Sequence, residues 1–170
     1  MGLLWIGEAD GVASIIELAP QLQRLGREIP LALRCLCAAG TGLDALAERL
    51  HEEDPDSLRL SIEAWSPMAS AHALAACDLV LLPGPSHARV THLVAAVHAG
   101  RLAISHPDPG YEMLADFAWV GADLVEGIRW ALSHPAEVLE RLGRGQQYVA
   151  RVHAPAAVAR DWIRIFLKIA

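Results

Sequence analysis

The feature that most constrains this chain is a regular alternation of short apolar, β-rich runs with longer stretches of helical periodicity. Leu3-Leu4-Trp5-Ile6 forms a first strand that ends at Gly7. From Val12 to Leu25, apolar side chains at Ile15, Ile16, Leu18, Leu22 and Leu25 recur at helical spacing, and Gly26 stops the pattern. A second strand, Leu31 to Cys37, leads through Gly40-Thr41-Gly42 into a helix carrying Leu43, Leu46 and Leu50. Leu58 to Trp65 alternates as a third strand. Ser66-Pro67 then opens a helix that ends near Cys77, with serine at the cap and proline at the first helical position.

The run Asp78-Leu79-Val80-Leu81-Leu82-Pro83 is the most strand-like in the chain, and its unbroken apolar character fits a parallel strand covered on both faces. Gly84-Pro85-Ser86 opens a further helix through Val90, Leu93, Val94 and Val97 to Gly100. Leu102 to Ser105 is the next strand. A Pro- and Gly-rich turn from His106 to Gly110, a short helix near Tyr111 and a strand at Ala118 to Gly121 follow. From Asp123 the pattern is helical throughout, over 123–132, 135–151 and 155–169, with breaks at Pro135 and Pro155. Such alternation predicts a doubly wound α/β fold: about six parallel strands, helices on both faces and a helical C-terminal segment. At 170 residues, with no repeat and no long linker, residues 1–170 are expected to form a single Rossmann-like domain of which 123–170 is all helical.

Composition narrows what such a fold can do. Of the fourteen basic residues only one, Lys168, is a lysine, so a Walker phosphate loop or a Schiff-base enzyme lacks its cation. A net charge of −6 without any basic tract disfavours nucleic-acid partners. No apolar run reaches the roughly 20 residues needed to span a bilayer. The start MGLLWIGEAD has no basic region ahead of its apolar residues, so a soluble, cytoplasmic chain without a signal peptide is expected. The cysteines Cys35, Cys37 and Cys77 are odd in number and lack metal-ligand spacing; core thiols are the simpler reading, and no metal or cofactor is expected. No nucleophile elbow, GxGxxG or HExxH pattern is present, so no catalytic residues are assigned.

In doubly wound sheets ligands bind beyond the carboxyl ends of the strands. The richest of these ends is Pro83 to His92. Gly84 permits close backbone approach and Ser86 can cap the helix, while Arg89 and, three residues on, His92 add basic groups near its positive end. Together Gly84, Ser86, Arg89 and His92 are candidates for holding a diphosphate; a capped helix with solvent-exposed Arg and His fits equally well. Trp65 and Ser66 end the third strand and are candidates for a base or ribose, although such a tryptophan is more often a rim or core packing residue. Glu112 and Tyr111 are candidates for contacting sugar hydroxyls, with a carboxylate at a helix start as the alternative. Gly7 and Glu8 line the first-strand loop, where Glu8 and Asp10 can also serve simply as helix caps. The remaining histidines, His51, His72, His98, His134 and His153, read as surface residues.

The stretch from Leu79 to Leu114 resembles the C-terminal, donor-binding lobe of bacterial GT-B glycosyltransferases. The resemblance rests on Asp78 to Pro83, on Ala95-Ala96-Val97-His98-Ala99-Gly100-Arg101-Leu102-Ala103-Ile104, and on Pro109-Gly110-Tyr111-Glu112-Met113-Leu114. The helix from Asp123 to Leu132, the segment Arg144 to Tyr148 and the closing Asp161-Trp162 helix continue it. It implies a domain that binds a nucleotide-diphosphate sugar during polysaccharide or glycoconjugate synthesis. Catalysis would then need an acceptor-binding lobe or partner chain. The chain departs from the large retaining subgroup, which has two glutamates where His87 and Ala95 stand, and an Arg and a Lys where Glu8 and Gly11 stand. Those departures motivate the alternative of a degenerate, non-catalytic α/β lobe used for assembly, and on either reading the isolated lobe is expected to self-associate.

Overall fold

The computed structural model describes residues 1–8, 11–38, 47–48, 56–84, 89–111, 113–154 and 156–160. Six strands, β1 (Gly2–Gly7), β2 (Leu31–Cys37), β3 (Leu58–Ala64), β4 (Leu79–Leu82), β5 (Leu102–Ser105) and β6 (Trp119–Val120), form one sheet in the order β3-β2-β1-β4-β5-β6. Every pairing is parallel. The order reverses between β1 and β4, which is the topological switch point of a doubly wound sheet. The described helices are α1 (Val12–Gly26), α2 (Pro67–Ala76), α3 (Arg89–His98), α4 (Leu124–Ser133) and α5 (Pro135–Val152), with further helical residues at 156–160.

Alternation along the strands divides the core into two layers. On one face Leu3, Trp5, Leu33, Cys35, Leu81 and Ile104 pack against Ile15 and Leu22 of α1 and Ile128 of α4. On the other, Leu4, Ile6, Leu36, Val80, Leu82 and Ala103 meet Leu74 of α2, Leu93 and Val97 of α3 and Val149 of α5. The central strands β4 and β5 are buried at every residue, so their apolar runs show no period of two. Edge strand β3 alternates because only one of its faces meets the core, and four of its seven residues in a row, 61–64, are exposed.

Local chemistry explains several element boundaries. Ser66 caps α2 by accepting a hydrogen bond at 3.0 Å from the Ala69 amide, with Pro67 in the first turn. At the other end of α2, Arg101 donates from Nε to the Leu74 carbonyl at 2.9 Å and from Nη2 to the Ala75 carbonyl at 2.6 Å. A guanidinium fork thereby satisfies two carbonyls that the helix leaves open and ties α2 to the start of β5. Asp123 caps α4 through the Val125 and Glu126 amides. The short helix expected near Tyr111 is a 3₁₀ turn, Pro109–Tyr111. The expected helices over 43–50 and beyond residue 160 lie largely outside the described residues.

Candidate functional site

The loop after β1 is shaped by a residue that the strand pattern hides. Trp5 is 2% exposed and lies beneath the β1–α1 turn, where a Cβ on Gly7 would come within 2.1 Å of its indole ring. Gly7 is therefore required for close approach, and a Cβ on Gly11 would also come within 3.2 Å of the ring. The Gly11 amide closes the turn by donating to the Glu8 carbonyl at 3.0 Å. The cap of α1 is Gly11 itself, without a side-chain cap bond. Capping by Glu8 is thus corrected: its side chain lines a cleft instead, because the turn brings Gly11, a residue without donors or acceptors in its side chain, to the helix start. Asp10 lies outside the described residues.

The cleft is about 190 Å³ and is lined by Ile6, Gly7, Glu8, Ala38, Trp65 and His92. Its floor is the carboxyl end of β1. Trp65 stands at the end of β3, held by its amide donating to the Cys37 carbonyl at 2.8 Å, and the residue is 51% exposed at the rim. His92, in the second turn of α3, is half-buried. Burial lowers its pKa from the ordinary 6.5, a shift that the nearby Glu8 carboxylate partly opposes. At neutral pH the imidazole is therefore uncharged and can offer one donor and one acceptor. Gly7, Glu8, Trp65 and His92, read from separate strand ends, thus converge on one cleft beside the switch point.

The other candidates divide. Gly84 follows β4 with φ +64°, and a Cβ there would fall within 1.8 Å of Ser14 Oγ on α1. Both facts require glycine. Its amide donates to Nδ1 of His106 at 3.1 Å, so His106, not singled out for a role from sequence, fixes the backbone at the β4 end. Ser66 is occupied as the cap of α2 and is not on the cleft wall. Ser86 and Glu112 lie outside the described residues, as do the side chains of Arg89 and Tyr111. Among the described residues no group of three or more His, Cys, Asp or Glu side chains could hold a metal ion. Two larger depressions lie away from the carboxyl ends of the strands. One, about 360 Å³, is beside β2, β3 and α2, and an apolar one of about 650 Å³ lies between α2, α3 and α5.

No family model matches the sequence, and no curated protein matches it. Solved structures do. Sucrose-phosphate synthase from Thermosynechococcus elongatus aligns with a TM-score of 0.73 at 14% identity, over 99% of this chain and 45% of that one. TarM aligns with a TM-score of 0.70 at 8% identity, over 96% of this chain and 34% of its own. Anabaena HepE, solved in complex with UDP-glucose, aligns at 0.64 and 15% identity over 88% of this chain and 44% of that one. These are GT-B glycosyltransferases, and the match is to one Rossmann-like lobe. The chain has the fold of a GT-B lobe. It spans less than half the length of these three proteins. The cleft lies beyond the carboxyl ends of β1, β2 and β3, the side of the sheet on which doubly wound folds in general bind ligands.

Proposed function

We propose that this chain is the donor lobe of a glycosyltransferase and binds a nucleotide-diphosphate sugar across the carboxyl ends of β1, β3 and β4. The observation that carries this reading is the convergence of Gly7, Glu8, Trp65 and His92 on one cleft of a fold shared with a protein solved in complex with UDP-glucose. Trp65 offers an exposed aromatic face at the rim, suited to stacking on a nucleobase. The neutral His92 imidazole donates one hydrogen bond to a ligand oxygen, and Glu8 accepts from hydroxyls. At about 190 Å³ the cleft is smaller than the roughly 300–1,000 Å³ of a complete small-molecule pocket. It suits one ring, so the rest of the ligand would extend from His92 along the β4 end, where His92, Gly84, Ser86 and Arg89 would meet the diphosphate. Transfer to an acceptor would require a second lobe or partner chain, and a role in polysaccharide or glycoconjugate synthesis in the cytoplasm belongs to the same reading.

A second reading, a lobe without donor affinity used for assembly, is favoured by one observation: the Glu8 carboxylate faces the cleft and repels a diphosphate. Calorimetry with UDP- and GDP-sugars separates the two. Donor binding predicts heat with at least one of them, abolished by Trp65→Ala and weakened by Arg89→Ala. Absence of heat from the whole panel, with the chain folded, would replace it by the assembly reading.

A further inference from the structure

Edge strand β3 turns one face to the core at Leu58 and Leu60, but the placing of its charges is explained by neither the core nor the cleft. Its sequence is Leu58-Arg59-Leu60-Ser61-Ile62-Glu63-Ala64, paired residue for residue with β2, without a proline or a bulge. Open strand edges are normally blunted by prolines, bulges or repelling charge, because unpaired backbone groups recruit other strands. Here the two charges are opposite in sign and stand at mirror positions about Ser61. Leu60 and Ile62 stand at mirror positions on the other face, and Ile62 is 39% exposed.

The backbone fixes which groups are open. The Trp65 amide donates to the Cys37 carbonyl, so residue 65 and, by alternation, 63, 61 and 59 direct their amides and carbonyls towards β2. Residues 58, 60, 62 and 64 direct theirs outward. We infer that β3 pairs antiparallel with β3 of a second copy of this chain, about a two-fold axis through Ser61. In that register Leu60 faces Ile62 of the second copy and Leu58 faces its Ala64. Each of these pairs exchanges two backbone hydrogen bonds, so every outward group along the strand finds a partner. Arg59 faces Glu63 of the second copy, twice over by symmetry, at the closely spaced positions where side chains approach best.

Other registers fail one of these conditions. An axis through Leu60 sets Arg59 against serine and Glu63 against Ser57, and an axis through Ile62 sets Glu63 against serine. Only the axis at Ser61 joins unlike charges and apolar pairs together. Arg59 has no ion-pair partner among the described residues. Glu63 already meets Arg34 Nε at 3.3 Å, so the dimer extends that pair into an Arg34–Glu63–Arg59 network at each end. The interface is isologous, as closed dimers require, and joins two six-stranded sheets into one.

Analytical ultracentrifugation of the 170-residue chain tests this, with Arg59→Glu and Glu63→Arg each studied alone and mixed. The wild type shifts from monomer to dimer as concentration rises. Each variant alone sets like charges opposite one another and weakens association roughly tenfold. Mixing them restores unlike pairs and yields a heterodimer. Ser61→Lys disturbs neither ion pair, sets two ammonium groups face to face on the axis and also favours the monomer. A wild type that stays monomeric at all concentrations overturns the inference. So do single variants, Ser61→Lys included, that associate as tightly as wild type, or a mixture of the two charge variants that does not associate.

Discussion

At the residue scale, His92 is where the chemistry of the cleft concentrates. Its imidazole is half-buried, and desolvation disfavours the charged form more than Glu8 supports it. The folded-state pKa therefore lies below the ordinary 6.5, which approximates the unfolded chain. The stability that follows from a neutral His92 is present above about pH 6.5 and is lost as pH falls through the lower folded value. Urea unfolding of wild type and His92→Gln between pH 7.5 and 5 should show the two curves diverging towards acid, with wild type losing more. Parallel curves would mean that the imidazole is not desolvated in the fold. A diphosphate held beside His92 at the β4 side of the cleft would act in the opposite direction, favouring the imidazolium. Affinity for a donor diphosphate should therefore rise as pH falls from 7.5 to 6, and that rise should vanish in His92→Gln.

At the element scale, most boundaries follow from local rules that a reader of the sequence already has. Ser66-Pro67 announces the start of α2, and the cap bond to Ala69 is the physical reason. The uninterrupted apolar character of residues 79–82 announces a central strand, and β4 is buried throughout. What the sequence does not display is long-range. Trp5 reads as one more strand residue, and only the turn above it reveals that its ring dictates glycine at position 7. Glu8, Trp65 and His92 come from three strand ends, and their meeting depends on the β3-β2-β1-β4 order, a long-range property that no local pattern displays. Arg101 shows the same limit: it reads as a residue between helix and strand, yet it caps a helix 26 residues earlier. Arg101→Ala should cost about 1–2 kcal/mol in urea unfolding, as two charge-assisted bonds to helix carbonyls are lost at a partly solvated site. Arg101→Lys should recover less than half of that, since one ammonium cannot hold two carbonyls in the fork geometry.

At the scale of the whole molecule, the buried thiols report how far the sheet opens as a unit. Cys35 lies on the middle strand of the β3-β2-β1 half, wholly buried against the α1 layer, and burial pushes its thiol far above the ordinary range. Cys77 lies at the C-terminal end of α2, 6% exposed, with its pKa pushed up to about 11 mainly by burial, an effect that Arg101 partly offsets. Both sites disfavour the thiolate, which is the nucleophile, so both thiols should react slowly from the native state. Labelling must pass through openings of different size. Exposing Cys35 requires separating β2 from α1 and from both neighbouring strands, which dismantles one layer of the core. Exposing Cys77 requires only the end of α2 to lift from β1 once the Arg101 fork releases. With a disulfide reagent in excess and opening in rapid equilibrium, the labelling rate of Cys35 should therefore give the same free energy as global urea unfolding. Cys77 should label faster, through a smaller opening, and Arg101→Ala should accelerate Cys77 more than it accelerates Cys35. Equal rates for the two thiols would mean that α2 does not open separately from the sheet, and would place the Arg101 fork inside one cooperative unit rather than at its margin.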